Sequence, residues 1–173
     1  FSIMFLSSST SLPDILTFIC FSSFLRISLT CLGILLNTLP IVCMRVVADV
    51  NSFLAVALSE PARDRLIQLT GGTDLVSPRA VRYEIGNALS RMARKGRLDR
   101  SGTQSVWQIT LAIPVELVDV DFEAALTIVA EHGIYAYDAY YLECAASLKC
   151  PLLTLDRTMK RVARTMGLPL LEL

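Results

Sequence analysis

From Met44 onward the chain alternates short apolar runs with longer stretches of helical periodicity, and few folds accommodate that alternation. It argues for an α/β domain. Arg45-Val46-Val47-Ala48 reads as a first strand, and Pro151-Leu152-Leu153-Thr154-Leu155 as a buried one. Each ends in an aspartate, Asp49 and Asp156. Two further carboxylates stand out: Glu84 inside an apolar helical stripe and Asp138 at the beginning of a helix.

Between the two runs the elements follow from local signals. Asn51 or Ser52 is expected to cap a helix over Phe53–Leu58. Pro61, a good first-turn residue, opens another that stops at Gly71-Gly72. Asp74–Val76 is a short strand. Ser77-Pro78 then reads as cap and first position of a long helix ending near Gly96, with Val81, Ile85, Ala88, Leu89 and Met92 as its apolar stripe. A helix over Ser101–Leu111 carries Trp107, and Val115–Val120 alternates like a strand. Asp121 caps a helix that runs to Gly133, and Tyr137–Lys149 forms the next. Arg157–Met166 is a helix ended by Gly167, and Pro169–Leu171 a short edge strand. No repeat or linker divides this stretch, so one domain is expected over residues 44–173.

Residues 1–43 are of another kind. They are rich in Ser, Leu, Phe and Ile, and their only charges are Asp14 and Arg26. The uncharged run from Ile27 to Cys43 is short for a membrane helix and interrupted by Pro40. A secretory signal would need a basic start and a small-residue cleavage site. The expectation is a leader that is not part of the native protein, with a membrane anchor or an ordered extension as the alternatives. The remaining cysteines, Cys144 and Cys150, lack a metal-ligand pattern and read as two buried thiols in a reducing, cytoplasmic setting. With 16 basic and 16 acidic residues the chain carries no overall basic coat. Nucleic-acid contact must therefore come from a local patch.

In open α/β sheets, ligands bind beyond the carboxyl ends of the strands, where Asp49 and Asp156 stand. On neighbouring strands about 4.8 Å apart, two carboxylates repel by about 4 kcal/mol at an effective dielectric near 20. Either one holds a proton or a cation sits between them. A glutamate close to a buried stripe is costly unless it faces a polar pocket or an ion. Each residue also has an ordinary reading: Asp49, Asp138 and Asp156 as helix caps, Glu84 as a surface residue. Only the set of four argues for chemistry.

The motifs around them resemble those of the PIN domain. Val46-Val47-Ala48-Asp49-Val50-Asn51-Ser52 is similar to its first motif and Tyr83-Glu84-Ile85-Gly86-Asn87-Ala88-Leu89 to its second. Tyr137-Asp138-Ala139-Tyr140-Tyr141-Leu142 and Leu153-Thr154-Leu155-Asp156-Arg157 resemble the third and fourth. The resemblance covers about Met44 to Leu173, and its length looks most like VapC-type toxins of toxin–antitoxin pairs. It implies a three-layer α/β/α fold around a parallel sheet of four to five strands, with the strands of Asp49 and Asp156 adjacent. It further implies Mg²⁺- or Mn²⁺-dependent endoribonuclease activity, a homodimer, and a VapB-type antitoxin as partner.

On that reading Asp49, Glu84, Asp138 and Asp156 are the catalytic and metal-binding set. The bound ion activates a water that attacks the RNA phosphorus in line, leaving a 5′-phosphate and a 3′-hydroxyl. Asn51 and Thr154 orient carboxylates or waters, or act as caps and strand-end polar residues. Arg79 and Arg82 are candidate RNA contacts. Arg91, Arg94, Lys95, Arg97 and Arg100 read as a solvated helix end, with phosphate contact as the alternative. His132 reads as structural. Trp107, Tyr135, Tyr137, Tyr140 and Tyr141 read as core or dimer packing, with base stacking as the alternative. The competing functions are a PIN-like module that binds without cutting and another phosphoryl-transfer α/β enzyme. A haloacid-dehalogenase pattern needs a second Asp where Asn51 stands, and no glycine-rich phosphate loop is present.

Overall fold

Four parallel strands form the centre of the computed structural model, which describes residues 44–172. They are β1 (Arg45–Ala48), β2 (Asp74–Pro78), β3 (Glu116–Val118) and β4 (Leu152–Leu153), in the spatial order β3-β2-β1-β4. The expectations for the leader, residues 1–43, lie outside the described residues. Val47 of β1 is opposite Val76 of β2 on one side and Leu152 of β4 on the other, and all three are fully buried. Burial on both faces suits uniformly apolar runs, and each such side chain contributes about 1.5–3 kcal/mol. At Pro169–Leu171 the expected edge strand reduces to a single bridge. Leu152 N–H donates to Pro169 O and Leu171 N–H to Leu152 O, both at 2.9 Å.

Parallel neighbours require crossover connections, which seven helices supply among the described residues. These are α1 (Val50–Ala57), α2 (Arg63–Thr70), α3 (Val81–Arg94), α4 (Arg100–Ala112), α5 (Phe122–His132), α6 (Ala136–Leu148) and α7 (Arg157–Thr165). Helices α1 to α4 pack among themselves, α5 to α7 form a second group, and α6 lies against β1 and β2. The expected three-layer α/β/α arrangement is what forms. Because every strand runs the same way, all four carboxyl ends meet at one edge of the sheet.

Several helix starts differ from the expectation. Asp49 rather than Asn51 or Ser52 caps α1, which begins at Val50: its Oδ1 accepts from Ser52 N–H at 2.9 Å. Ser77 and Pro78 do not open a helix. They extend β2, opposite Leu117 and Val118, and Ser77 Oγ donates to Ala48 O at 2.9 Å. Pairing with β3 overrides the local Ser-Pro signal, and α3 starts at Val81 without a side-chain cap. Tyr135 occupies the cap position of α6, and its side chain makes no capping bond. A serine or asparagine there would be worth about 1 kcal/mol. Cys144 and Cys150 are buried free thiols, as expected. No helix among the described residues is long and apolar enough to cross a membrane.

Candidate active site

The last residue of β1 delivers its chain directly into Asp49, whose carboxylate is wholly buried. It survives there because donors surround it. Oδ1 accepts from Ser52 N–H at 2.9 Å and Ser52 Oγ at 2.8 Å. Oδ2 accepts from Thr154 Oγ1 at 2.6 Å and, more loosely, from Asn51 Nδ2 at 3.4 Å. Burial raises the Asp49 pKa above the usual carboxylate value, and these hydrogen bonds oppose the rise.

Thr154, just past β4, ties the two aspartates together. Its hydroxyl donates to Asp49 and accepts from the Asp156 N–H at 3.0 Å. Asp156 in turn caps α7, with Oδ1 accepting from Met159 N–H at 2.8 Å. The ordinary reading of both strand-end aspartates as caps is therefore correct. The strands that lead to them are adjacent, as expected, but only Asp49 stands at a strand end: Asp156 lies three residues beyond β4, and it is Thr154 that meets Asp49 across the β1–β4 pair.

The other two carboxylates arrive on helices. Glu84, in the first turn of α3, accepts at Oε1 from the Tyr141 hydroxyl at 2.7 Å. Burial pushes its pKa up to about 7, helped by repulsion from Asp138 and Asp49; Tyr141 and the charge of Arg91 pull the other way. Asp138 is the third residue of α6 and accepts no hydrogen bond among the described residues. Its reading as a helix cap fails, since Tyr135 holds that position. Burial again raises its pKa, followed by repulsion from Asp156 and Asp49. Each member of the set thus acts electrostatically on at least one other.

Asp138 and Asp156 line a cavity of about 200 Å³ together with Gly133, Ile134, Tyr135 and Thr158. Among the described residues no three Asp, Glu, His or Cys side chains stand close enough to enclose a metal ion directly. The donors nevertheless fit Mg²⁺ or Mn²⁺. They are all carboxylate oxygens, and Mg²⁺ keeps most of its waters and takes only one or two such ligands. A cation would also relieve the repulsion that raises Glu84 and Asp138.

The arginines are distributed differently from the sequence expectation. Arg79 pairs with Asp119 at 2.8 Å on the surface. Arg82 lines a separate cavity with Phe53, Ile85 and Trp107, in which none of the four carboxylates takes part. Arg91, from the basic helix end, is the arginine whose charge reaches Glu84. Two polar partners escaped the sequence reading. Ser52 makes two bonds to Asp49, and Tyr141 holds Glu84. Tyr141 is core by its ring, at 1% exposure, and site by its hydroxyl. The available signal was spacing: three residues after Asp138 it shares that side of α6.

The chain is similar to several known proteins. The PIN domain family model matches residues 46–165, which include all four carboxylates. Ribonuclease VapC3 of Pyrobaculum aerophilum is 26% identical over 121 residues, covering 67% of this chain and 92% of that protein. Exonuclease VapC9 of the same organism is 35% identical over 85 residues, covering 49% of this chain and 62% of that one. The crystal structure of VapBC2 from Rickettsia felis, bound to a DNA fragment from the promoter, matches with a TM-score of 0.52. That match has 18% identity and covers 69% of this chain and 93% of that chain, a likeness of fold. The strand-end aspartates, the helix-borne acids and the order in which they occur all fall inside the matched region: the chain belongs to the PIN-domain family.

Proposed function

We propose that this protein is a Mg²⁺- or Mn²⁺-dependent endoribonuclease, the toxin of a VapC-type toxin–antitoxin pair. The observation that supports the proposal is that burial raises the pKa of Glu84 and Asp138 and that neighbouring acids add to it, Asp138 and Asp49 at Glu84, Asp156 and Asp49 at Asp138. Repelling carboxylates at the ligand edge of a parallel sheet are costly without a cation, and a site that holds one against a cavity is suited to phosphodiester hydrolysis. The ribonuclease named among the relatives supports the same activity.

Asp49, Asp138 and Asp156 would hold the ion directly or through its waters, and Glu84 a metal-bound water or a second ion. A divalent ion bound there supplies a water of lowered pKa and stabilises charge on the scissile phosphate. The protein's own part is positioning and proton handling. Asp49 is fixed by its donors, and Thr154 keeps Asp156 in register with it. Glu84 changes protonation near neutral pH and has one oxygen, Oε1, committed to Tyr141. Its remaining oxygen can accept a proton from water, a role matched to its pKa.

The partners that follow are RNA, a VapB-type antitoxin that blocks the site, and a second copy of the chain, with a cytoplasmic setting. A second reading is removal of nucleotides from an RNA end, which the name of VapC9 favours. Circular RNA separates the two, since only an endonuclease opens it. The central test is cleavage of labelled RNA with Mg²⁺ by the wild-type protein, Asp49→Asn and Asp156→Asn. Both variants are expected to stay folded and lose cleavage, as is wild type with a chelator. Cleavage that survives the substitutions and the chelator refutes the assignment. Sequencing RNA ends after induced expression identifies the RNA that is cut.

A further inference from the structure

Tyr135 has the wrong chemistry for its structural position. It takes the cap position of α6 with extended backbone, yet donates and accepts nothing there through its side chain. The residue is 83% exposed, the most open of the large hydrophobic residues described. Among the described residues it has no ring partner, whereas Tyr137 and Phe122 each meet Tyr140 edge-on at 5.6 and 5.3 Å. The residue is not loose at its base. Ile134 beside it is buried, Tyr135 O accepts from Ala139 N–H at 3.1 Å, and Gly133 (φ 62°) ends α5 just before it. Tyr135 also lines the cavity that contains Asp138 and Asp156. A rigidly based, solvent-facing aromatic ring thus stands beside two of the four carboxylates.

We infer that Tyr135 is a base-stacking platform, which holds an unstacked base of the RNA beside the scissile phosphate. This rests on the nuclease reading above and adds a specificity-determining residue to it. A ring face offers every base a stacking surface. In a duplex the bases are already stacked on one another, so the ring gains nothing there; an exposed strand can splay a base onto it. The same position explains the absent cap: a serine would tie down the helix end but give the substrate nothing to stack on.

The experiment uses the full chain with Tyr135→Phe and Tyr135→Ser, the second restoring a capping side chain so that the fold is kept. Binding of a fluorescein-labelled single-stranded oligoribonucleotide is read by anisotropy with EDTA present, so that nothing is cut. A duplex and a series of single strands with one abasic position serve as comparisons. Tyr135→Ser is expected to bind the single strand roughly tenfold more weakly, with Tyr135→Phe like wild type and duplex binding unchanged. At one abasic position the difference between wild type and Tyr135→Ser should disappear. Equal single-strand binding by wild type and Tyr135→Ser overturns the inference. So does an equal loss on single strand and duplex, or a wild-type protein that binds no single strand. Cleavage with Mg²⁺ is read separately. A tenfold binding loss in a protein that cuts nothing retains Tyr135 and refutes the nuclease reading. Cleavage with the same KM in wild type and Tyr135→Ser does the reverse.

Discussion

Asp49 accepts hydrogen bonds from Ser52, Thr154 and Asn51, and Asp156 caps α7, whereas Asp138 accepts none among the described residues and Glu84 accepts one, from Tyr141. The strand-end pair are part of the scaffold as well as the site. The helix-borne pair contribute mainly charge, and burial and repulsion raise the pKa of both. A residue with a structural task is difficult to assign to function from its position alone. One that costs stability and gives little back is easier, because something outside the fold must explain it.

The largest test of this contrast is activity without stability. Asp138→Ala is expected to lower kcat for RNA cleavage by about 10²–10⁴-fold, while denaturant unfolding without metal shows stability unchanged or slightly increased. A destabilised Asp138→Ala would give this residue a scaffold role and erase the contrast. Asp49→Ala should lose cleavage to a similar extent and also lose about 3 kcal/mol of stability. It removes a helix cap and strands the donors of Ser52 and Thr154. Asp49→Asn, which keeps an acceptor, should cost only about 1 kcal/mol in the same unfolding experiment.

Glu84 sharpens the comparison through pH. Its folded pKa, about 7, lies above its ordinary 4.5, so the folded state holds this proton more tightly than the unfolded chain does. That contribution to stability is complete below about pH 4.5 and lost as pH rises to about 7. In EDTA, Glu84→Gln should therefore match wild type near pH 4.5 and exceed it above pH 7. With screening at a partly exposed group, the excess is about 1–2 kcal/mol. A difference that does not change with pH would mean that Glu84 is not buried against the other acids. The smallest expected effect is that of Tyr141→Phe, about 1 kcal/mol from one hydrogen bond. Because that bond lowers the Glu84 pKa, its loss should move the Glu84 titration upward in a side-chain NMR experiment.

The sheet was legible where chemistry was uniform. Val46-Val47-Ala48 and Leu152-Leu153 can only be buried strands, and both are. Ser77-Pro78 misled because a cap signal is local, while the partner that holds these residues extended, Leu117-Val118, is 40 residues away. The four acids were legible as a set, since their order along an α/β pattern is itself informative. Their supporting residues were not. The spacing of Tyr141, three residues after Asp138, puts it on that side of α6, but does not by itself distinguish a tyrosine whose hydroxyl meets Glu84 from one that only fills the core. Arg82 and Arg91 were indistinguishable by charge, and only the geometry of α3 brings Arg91 within electrostatic reach of Glu84.

The pairing of β1 with β4 has a consequence for synthesis. Asp49 receives its 2.6 Å hydrogen bond from a residue 105 positions later. Chains are made from the amino end, and early segments begin to fold while later ones are still to come. Until residues 152–156 have been added and have docked, Asp49 lacks its Thr154 donor and Asp156 is absent. An incomplete chain on the ribosome therefore has three of the four carboxylates, with Asp49 short of one donor. If the finished protein cuts RNA, the order of the strands keeps the nascent one harmless to the RNA that surrounds it.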